Sequence, residues 1–446
     1  MSKKTMYKDR IFDLIEKEKK RQEDTLMMIP SENYTYKEVM RAVGSALMHK
    51  YAEGYPQKRY YQGNEVVDEI EDLCQERALE AFGLDNHKWR ANVQPHSGCE
   101  ANLAVYNALL APGDKIMAMY LPDGGHLSHG WHTEERKVTL VSKIFKVEFY
   151  KVDPKTRVFD YDEIEKQAEE FGPKLIISGG TAYPREIDYE RMGRIAKKAG
   201  AYYLADVAHE AGLIAARVCR SPFESADVVT MTTHKTLRGP RGAMILAKTD
   251  LIEKVNLAVM PGLQGGPHVH SIAGIAIALE KSKTEKFRDD ARQVVANAKK
   301  LAEVLMAGLA GAGLDVVSGG TDKHLILVDL RNKRIGGWHA AWAMEKAGII
   351  INRNTVPNED ASPFYPSGIR LGTPALTVRG MKEMEMEKIG GWILKIIGQL
   401  GAREMAADKE ARAASLKKFL EEIKNDEVLK GIRQEVRELC GRFPLG

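Results

Sequence analysis

The sequence predicts an α/β protein built on a mostly parallel sheet covered by helices. Between about residues 65 and 275, short apolar runs alternate with amphipathic stretches at helical spacing, the pattern of strand–crossover–strand units. Segments dense in titratable and hydroxyl side chains follow several of those runs directly. In open sheets of this kind, ligands bind beyond the carboxyl ends of the strands. The length, 446 residues with 44% hydrophobic and 29% charged, allows two or three packed units of an ordinary soluble protein.

Residues 1–25 read as a helix with few apolar positions, Ile11, Phe12, Leu14 and Ile15. Such a segment buries little by itself and suits an arm docked on a partner subunit. Lys50–Tyr61 is a loop that packs four tyrosines and Glu53 around Gly54-Tyr55-Pro56, a ligand wall or an aromatic subunit contact. Glu65–Phe82 keeps Val67, Ile70, Leu73, Ala78 and Phe82 near helical spacing, and Cys99–Leu110 is a second helix ended by Pro112-Gly113. Lys115–Met119, Lys174–Ser178, Tyr202–Ala205 and Val228–Thr232 read as strands, with helix Tyr189–Lys198 and a shorter crossover between the last three. After the Gly-rich Pro261–Pro267, one long helical stretch, Val269–Leu309, leads to a second unit. That unit holds strand Leu325–Asp329, helix Gly337–Lys346, strand Ile349–Asn352 and an amphipathic tail through Leu416, Phe419, Leu420 and Ile423. The predicted organisation is an arm over 1–30, a large domain over 31–280 and a small domain over 281–446.

The net charge of +4 is small against 66 basic and 62 acidic side chains that alternate along the chain. Composition therefore supports neither nucleic-acid nor membrane binding, and any basic site must be local. Cys74, Cys99, Cys219 and Cys440 form no C-x-x-C pair, which argues for a reducing compartment and against a disulfide frame or zinc site. The charged N-terminus lacks an apolar signal core, so the expected location is the cytoplasm.

Thr232–Gly242 places Lys235 just past a strand end, beside His234, Arg238 and Arg241. An amine near cations in a desolvated pocket loses its proton readily and can form a Schiff base; a basic loop that binds phosphate or faces water has the same composition. Ser97 and Gly98 open a helix and fit an anion cradle or a plain helix start. Asp206 ends an uncharged strand and needs a partner: a protonated heterocyclic nitrogen, an arginine or a metal. His209 follows at a spacing that faces the same cavity, but Asp-x-x-His lacks a third ligand at recognisable spacing, and no metal is expected. His126, His129 and His132, spaced by three, sit in a Gly-rich loop; a metal triad is the weaker reading, while His126 suits packing on an aromatic ligand and the other two read as structural or solvated. Arg370 stands in an apolar context, where either a substrate carboxylate or an internal Asp or Glu would satisfy its fork.

Together the segments KYAEGYP, ANVQPHSG, GGHLSHG, THKTLRGPRG, QGGP and SGIRLGTPA, in this order, resemble the serine hydroxymethyltransferase family. The resemblance runs from about Ile29 to Arg379. It implies an aspartate-aminotransferase-like fold, with a seven-stranded, mostly parallel sheet in the large domain and a smaller C-terminal α+β domain. It implies pyridoxal 5'-phosphate as cofactor, tetrahydrofolate as co-substrate and a homodimer with shared active sites. The implied reaction moves the hydroxymethyl group of serine to tetrahydrofolate, giving glycine and 5,10-methylenetetrahydrofolate, through a pyridoxal-phosphate aldimine on Lys235. By the same resemblance Asp206 pairs with the pyridine nitrogen, His126 stacks on the ring, and His209 with Thr181 contacts the ring hydroxyl. Ser97, Gly98, Cys99 and His234 hold the phosphate with Tyr51, Gly265 and Gly266 of a neighbouring subunit. Ser31, His209, Arg370 and Tyr61 face the amino acid, Tyr51 and Glu53 reach it from the other subunit, and Glu53 is its acid/base with Tyr61 and Arg241 in support. Tyr60, Leu121, Gly125, Leu127, Asn354 and Phe364 line the folate pocket. Cys99, Glu100 and Asn64 depart from the family pattern, and Glu100, close to the phosphate, must point away or be paired. A folate-independent aldolase or transaldolase of β-hydroxy amino acids is the alternative activity, and an inactive or RNA-binding relative the third.

Overall fold

The computed structural model describes residues 9–406 and 408–445. Residues 1–8 of the expected arm lie outside them. The large sheet has seven strands in the order Trp89–Asn92, Ala243–Lys248, Val228–Thr232, Tyr202–Asp206, Leu175–Ser178, Lys115–Met119 and Lys146–Tyr150. Only Ala243–Lys248 runs against the others. Alternate residues serve opposite faces, as a pleated strand requires. Met117, Ile176, Tyr203, Ala205, Val229 and Met231 enter one apolar core, and Ile116, Leu175, Ile177, Leu204 and Val228 enter the other. Because both faces are covered, the central strands Leu175–Ser178 and Val228–Thr232 are buried throughout, whereas the edge strand Lys146–Tyr150 alternates.

The expected single helix over Val269–Leu309 is two, Val269–Ser282 and Glu285–Ala307. Thr284 takes an extended conformation and its hydroxyl accepts from Phe287 N, so a residue that reads as mid-helix polar is an N-cap. The second of these helices bridges two cores. Phe287, Ala291, Val294 and Val295 pack under the large sheet, while Leu301, Ala302 and Leu305 join the C-terminal core with Leu26 and Met28. That core lies against a four-stranded antiparallel sheet ordered Asp315–Val316, Leu325–Asp329, Gly368–Gly372 and Asn352–Asn354. The expected strand Ile349–Asn352 is split, because Ile349–Ile350 pairs in parallel with Leu26–Met27 and Asn352–Asn354 pairs with Gly368–Gly372.

Buried Arg379 ties these parts together, donating to the carbonyls of Gln22, Glu23, Thr25, Cys440 and Phe443. Helix Arg10–Glu23 buries none of its residues, and Ile11, Phe12, Leu14 and Ile15 are exposed. No helix among the described residues is long and apolar enough to cross a membrane.

Candidate active site

The carboxyl ends of the parallel strands open into one cleft of about 470 Å³. Ser31, Ser97, Gly98, Cys99, Leu121, Gly125, His126, Leu127, Thr181, Asp206, His209, His234, Lys235, Arg241, Asn354 and Arg370 all line it. Lys235 is three residues past Val228–Thr232, in a turn closed when Gly239 N donates to Thr233 O and Arg238 N to Lys235 O. Arg238 adopts φ 62° to make that turn. Asn33 Nδ2 donates to Lys235 O from the other side. Burial pushes the Lys235 amine down to about 8, helped by Arg370 and opposed by Asp206.

Asp206 ends its strand with both carboxylate oxygens engaged. Oδ1 accepts from Ala208 N at 3.0 Å, and Oδ2 pairs with His129 Nε2 at 2.9 Å and accepts from Asn102 Nδ2 at 2.8 Å. Burial alone would raise its pKa, but His129, His126 and Asn102 outweigh that and hold the carboxyl well below the usual range. The partner that sequence reasoning sought in a ligand, an arginine or a metal is therefore partly supplied by the protein. His129 is 1% exposed, so it is buried against Asp206 and not solvated. Asn102, one helical turn past Gly98, also accepts from Thr230 Oγ1 and donates to Ser128 Oγ. Neither Asn102 nor His129 was assigned a role from sequence; the available signal was an Asn inside the apolar face Ala101–Val105. His126, His129 and Asp206 offer ligand atoms within 4.8 Å of one another, a closeness the His129–Asp206 hydrogen bond already explains.

Ser97 is the N-cap of helix Gly98–Leu109, yet its side chain makes no capping bond. The first-turn amides are thus left to an anion. A Cβ at Gly98 would stand 2.7 Å from Thr232 Cγ2, so only glycine lets the helix start this close to the strand. Glu100 is drawn away by His96, 3.6 Å from it. His234 faces the cleft with a buried Nδ1 that has no partner, while its Nε2 lies 3.2 Å from Arg241. Burial, with Arg241 and Lys235, pushes its pKa down to about 3. His126 Nδ1 lies 2.7 Å from Ser128 Oγ, and burial with His129 pushes the ring down to about 4. A Cβ at Gly125 would lie 2.3 Å from Met119 O, which is why the loop can fold back under His126.

Arg370 lies on Gly368–Gly372, opposite Asn352. Its Nε donates to Asn352 Oδ1 at 3.0 Å and its Nη1 to Thr181 O. Burial pushes its pKa down to about 10. No Asp or Glu pairs with it among the described residues, which removes the internal-carboxylate reading. His209 Nδ1 lies 3.2 Å from His324 Nε2, a partner that sequence reasoning missed.

Tyr51, Glu53, Tyr60, Tyr61, Gly265 and Gly266 do not reach the cleft of their own chain, and neither does Phe364, 75% exposed. The first six form a patch of their own. Tyr61 meets Tyr51 and Tyr60 edge-on, with ring centroids 5.2 Å apart in each pair. A Cβ at Gly265 would sit 3.0 Å from Glu53 Oε1. Asn64 Nδ2 donates to the Tyr51 and Tyr61 carbonyls. Arg59, bonded to Asp68, Glu71 and the Ala52 and Gly54 carbonyls, pins the loop from below.

A buried carboxylate at one end, a depressed amine across from it and an open helix N-terminus make a donor set that fits an aromatic cofactor with a basic ring nitrogen, an aldehyde and a phosphate. The unpartnered Nδ1 of His234, which lines the same cleft as that helix start, fits the phosphate end.

Comparison with known proteins agrees with this geometry. Residues 5–393 match the family model described as serine hydroxymethyltransferase. A serine hydroxymethyltransferase of Caenorhabditis elegans is 52% identical over 397 residues, 86% of this chain and 77% of its own length. One from Methanosarcina barkeri is 49% identical over 436 residues, covering 98% of this chain and 97% of its own. The cytosolic serine hydroxymethyltransferase of Oryctolagus cuniculus is 46% identical over 454 residues, with 98% and 92% covered.

Proposed function

The chain belongs to the serine hydroxymethyltransferase family, and from that premise we propose that it transfers the serine hydroxymethyl group reversibly to tetrahydrofolate, leaving glycine. The observation that carries this reading is Arg370, a buried guanidinium with no internal carboxylate, in the same cleft as Lys235 and Asp206. Pyridoxal phosphate, when bound, supplies an electron sink for charge that develops at the amino acid's α-carbon.

The remaining work falls to the chain's own side chains. Lys235 is the amine that holds the cofactor and yields it to substrate, and its depressed pKa keeps a usable fraction unprotonated near neutrality. Asp206, ionised, keeps the ring nitrogen protonated by charge pairing. Arg370 would fix the substrate carboxylate and so orient the amino acid in the cleft. Ser97, Gly98, Cys99 and His234 receive the phosphate, Thr181 and His209 the ring hydroxyl, and His126 covers the ring face. Ser31 sits at the substrate end. Leu121, Gly125, Leu127 and Asn354 form the side of the cleft on which the folate enters, with Phe364 exposed outside the cleft.

The acid/base group is Glu53 of a second copy, brought in with Tyr51, Tyr60, Tyr61, Gly265 and Gly266. A homodimer with shared sites is thus part of the proposal, and Arg241 completes each site. Support comes from the exposure of that patch: Tyr51 is 61% and Tyr60 is 77% exposed in the single chain, a large aromatic surface left uncovered.

Three experiments test the reading. Borohydride treatment of the loaded enzyme followed by peptide mapping should find the pyridoxyl group on Lys235; a label elsewhere overturns that assignment. Serine consumption should depend on tetrahydrofolate. An unchanged rate without it would favour the aldolase. For the shared site, inactive Lys235→Ala and Glu53→Ala homodimers should regain part of their activity when subunits are exchanged, and no recovery would place Glu53 in its own chain's site and overturn the shared arrangement.

A further inference from the structure

His209 and Glu210 leave the large sheet just past Asp206, and Lys323 and His324 lead into the strand Leu325–Asp329 of the small sheet. These two pairs of neighbours meet across the two halves of the molecule. The Glu210 carboxylate and Lys323 ammonium are ion-paired with side chains 3% and 2% exposed, and His209 Nδ1 lies 3.2 Å from His324 Nε2. Both imidazoles are buried, at 2% and 0% exposure, yet His209 also lines the cleft. One proton must lie between the two facing nitrogens, and the question is which ring carries it.

We infer that His324 is a positioning residue for His209: its Nε2–H donates to His209 Nδ1, which places the His209 proton on Nε2 and makes that nitrogen a hydrogen-bond donor, not a base, toward the cleft. The geometry at the far side of His324 decides between the two arrangements. His324 Nδ1 is buried and has no hydrogen-bond partner. If His209 donated instead, the neutral His324 would have to carry its own proton on Nδ1, a buried N–H with nothing to accept it. The charges around the pair point the same way. Lys323, Arg370 and Lys235 all act on His324, and a bare lone pair is better placed among cations than an N–H. Burial and those cations, together with the neighbouring imidazole, hold His209 well below its ordinary pKa, and His324 is held down likewise. Both rings are therefore neutral at neutral pH, and the choice is one of tautomer. The Glu210–Lys323 pair, one residue along on each segment, holds the two halves in the register that this bond needs.

The inference rests on the proposed function only for what His209 faces, namely the hydroxyl oxygen of the cofactor ring. The tautomer is a property of the chain alone. It is read from solid-state 15N spectra of the full chain labelled on its 12 histidines, without and with pyridoxal phosphate, the two signals being assigned by their loss in His209→Gln and His324→Gln. The expected result is a protonated Nε2 and a bare Nδ1 on both rings in both states. A proton on Nδ1 of either ring overturns the proposal. A second readout is pyridoxal phosphate affinity. His324→Leu, which removes the donor, should weaken it about tenfold, whereas His324→Gln, which keeps an N–H at the same place, should stay within about threefold of wild type. Equal weakening in both variants, or none in either, would count against a donor role. Should pyridoxal phosphate fail to bind the unaltered protein, the proposed function falls, while the 15N spectra still decide the tautomer.

Discussion

Replacing Asn102 with leucine, which keeps the number of side-chain heavy atoms, removes one of the two side chains that hold the Asp206 carboxylate. Asn102 is 1% exposed, and its amide donates to Asp206 and Ser128 while accepting from Thr230. Losing a hydrogen bond to a charged group costs about 1.5–3 kcal/mol, and the stranded Thr230 hydroxyl about 1–3 more. The buried leucine returns about 2 kcal/mol, so the expected net loss at pH 7 is about 2 kcal/mol. Adding Thr230→Val removes the stranded donor and should recover about half of it. The pH dependence separates this account from a packing defect. Wild-type Asp206 titrates below the unfolded carboxylate value of about 3.9. Its ionised form therefore stabilises the fold above that value, and the stabilisation is lost only as pH falls through the lower folded pKa. With Asn102 gone, burial is less opposed and the pKa rises. Below the new value the penalty should shrink by up to about 1.4 kcal/mol per pH unit. Urea unfolding of the cofactor-free chain between pH 7 and pH 4 measures both effects. A penalty that stays flat with pH, or no recovery on adding Thr230→Val, would refute the charge-anchoring role of Asn102.

Lys235→Met should make the cofactor-free protein more stable by about 3 kcal/mol at pH 7, because burial holds the amine near 8 against about 10.4 when unfolded. That penalty on the wild type is complete below the folded value and is relieved as pH rises from 8 toward 10.4; unfolding curves at pH 7 and pH 10 check it. Arg379→Leu takes a donor from the carbonyls of Gln22, Glu23, Thr25, Cys440 and Phe443 and should cost about 3 kcal/mol or more, seen as a lowered thermal midpoint. Glu210→Gln and Lys323→Met each strand a buried charge and should each cost about 3–5 kcal/mol, while the double variant should come close to wild type; a double-mutant cycle by urea unfolding reads the coupling.

Much of the cleft was legible because a strand end is a local signal. Asp206, Thr181 and Lys235 each closely follow an apolar run, and Ser97-Gly98 opens a helix, so the alternation of elements alone placed them on one side of a sheet. Their partners were not legible, because they are distant in the chain. Asn102 is 104 residues from Asp206, His129 is 77 away, and His324 is 115 from His209. Strand direction was hidden for a different reason. A strand buried on both faces is apolar throughout whichever way it runs, so Ala243–Lys248 carries no mark of being antiparallel. The break before Glu285 was masked because an N-capping threonine and a mid-helix threonine look alike until the backbone is known.

The Tyr51–Tyr61 loop shows where local reading stops. Its composition suits a ligand wall and a subunit contact equally, and a single chain leaves its rings facing solvent. What distinguishes it is rigidity without a ligand. Arg59, itself held by Asp68 and the nearly fully buried Glu71, fastens the loop from beneath, and Asn64 ties its two ends. Gln94 joins the same network through Glu71 and the Gly54 carbonyl, three residues before the Ser97 helix start. The loop that carries Glu53 is thus braced by the segment that leads to its own chain's anion cradle. Fixing the two together orients both before any ligand or second copy binds, which is the preorganisation that the proposed shared site would demand.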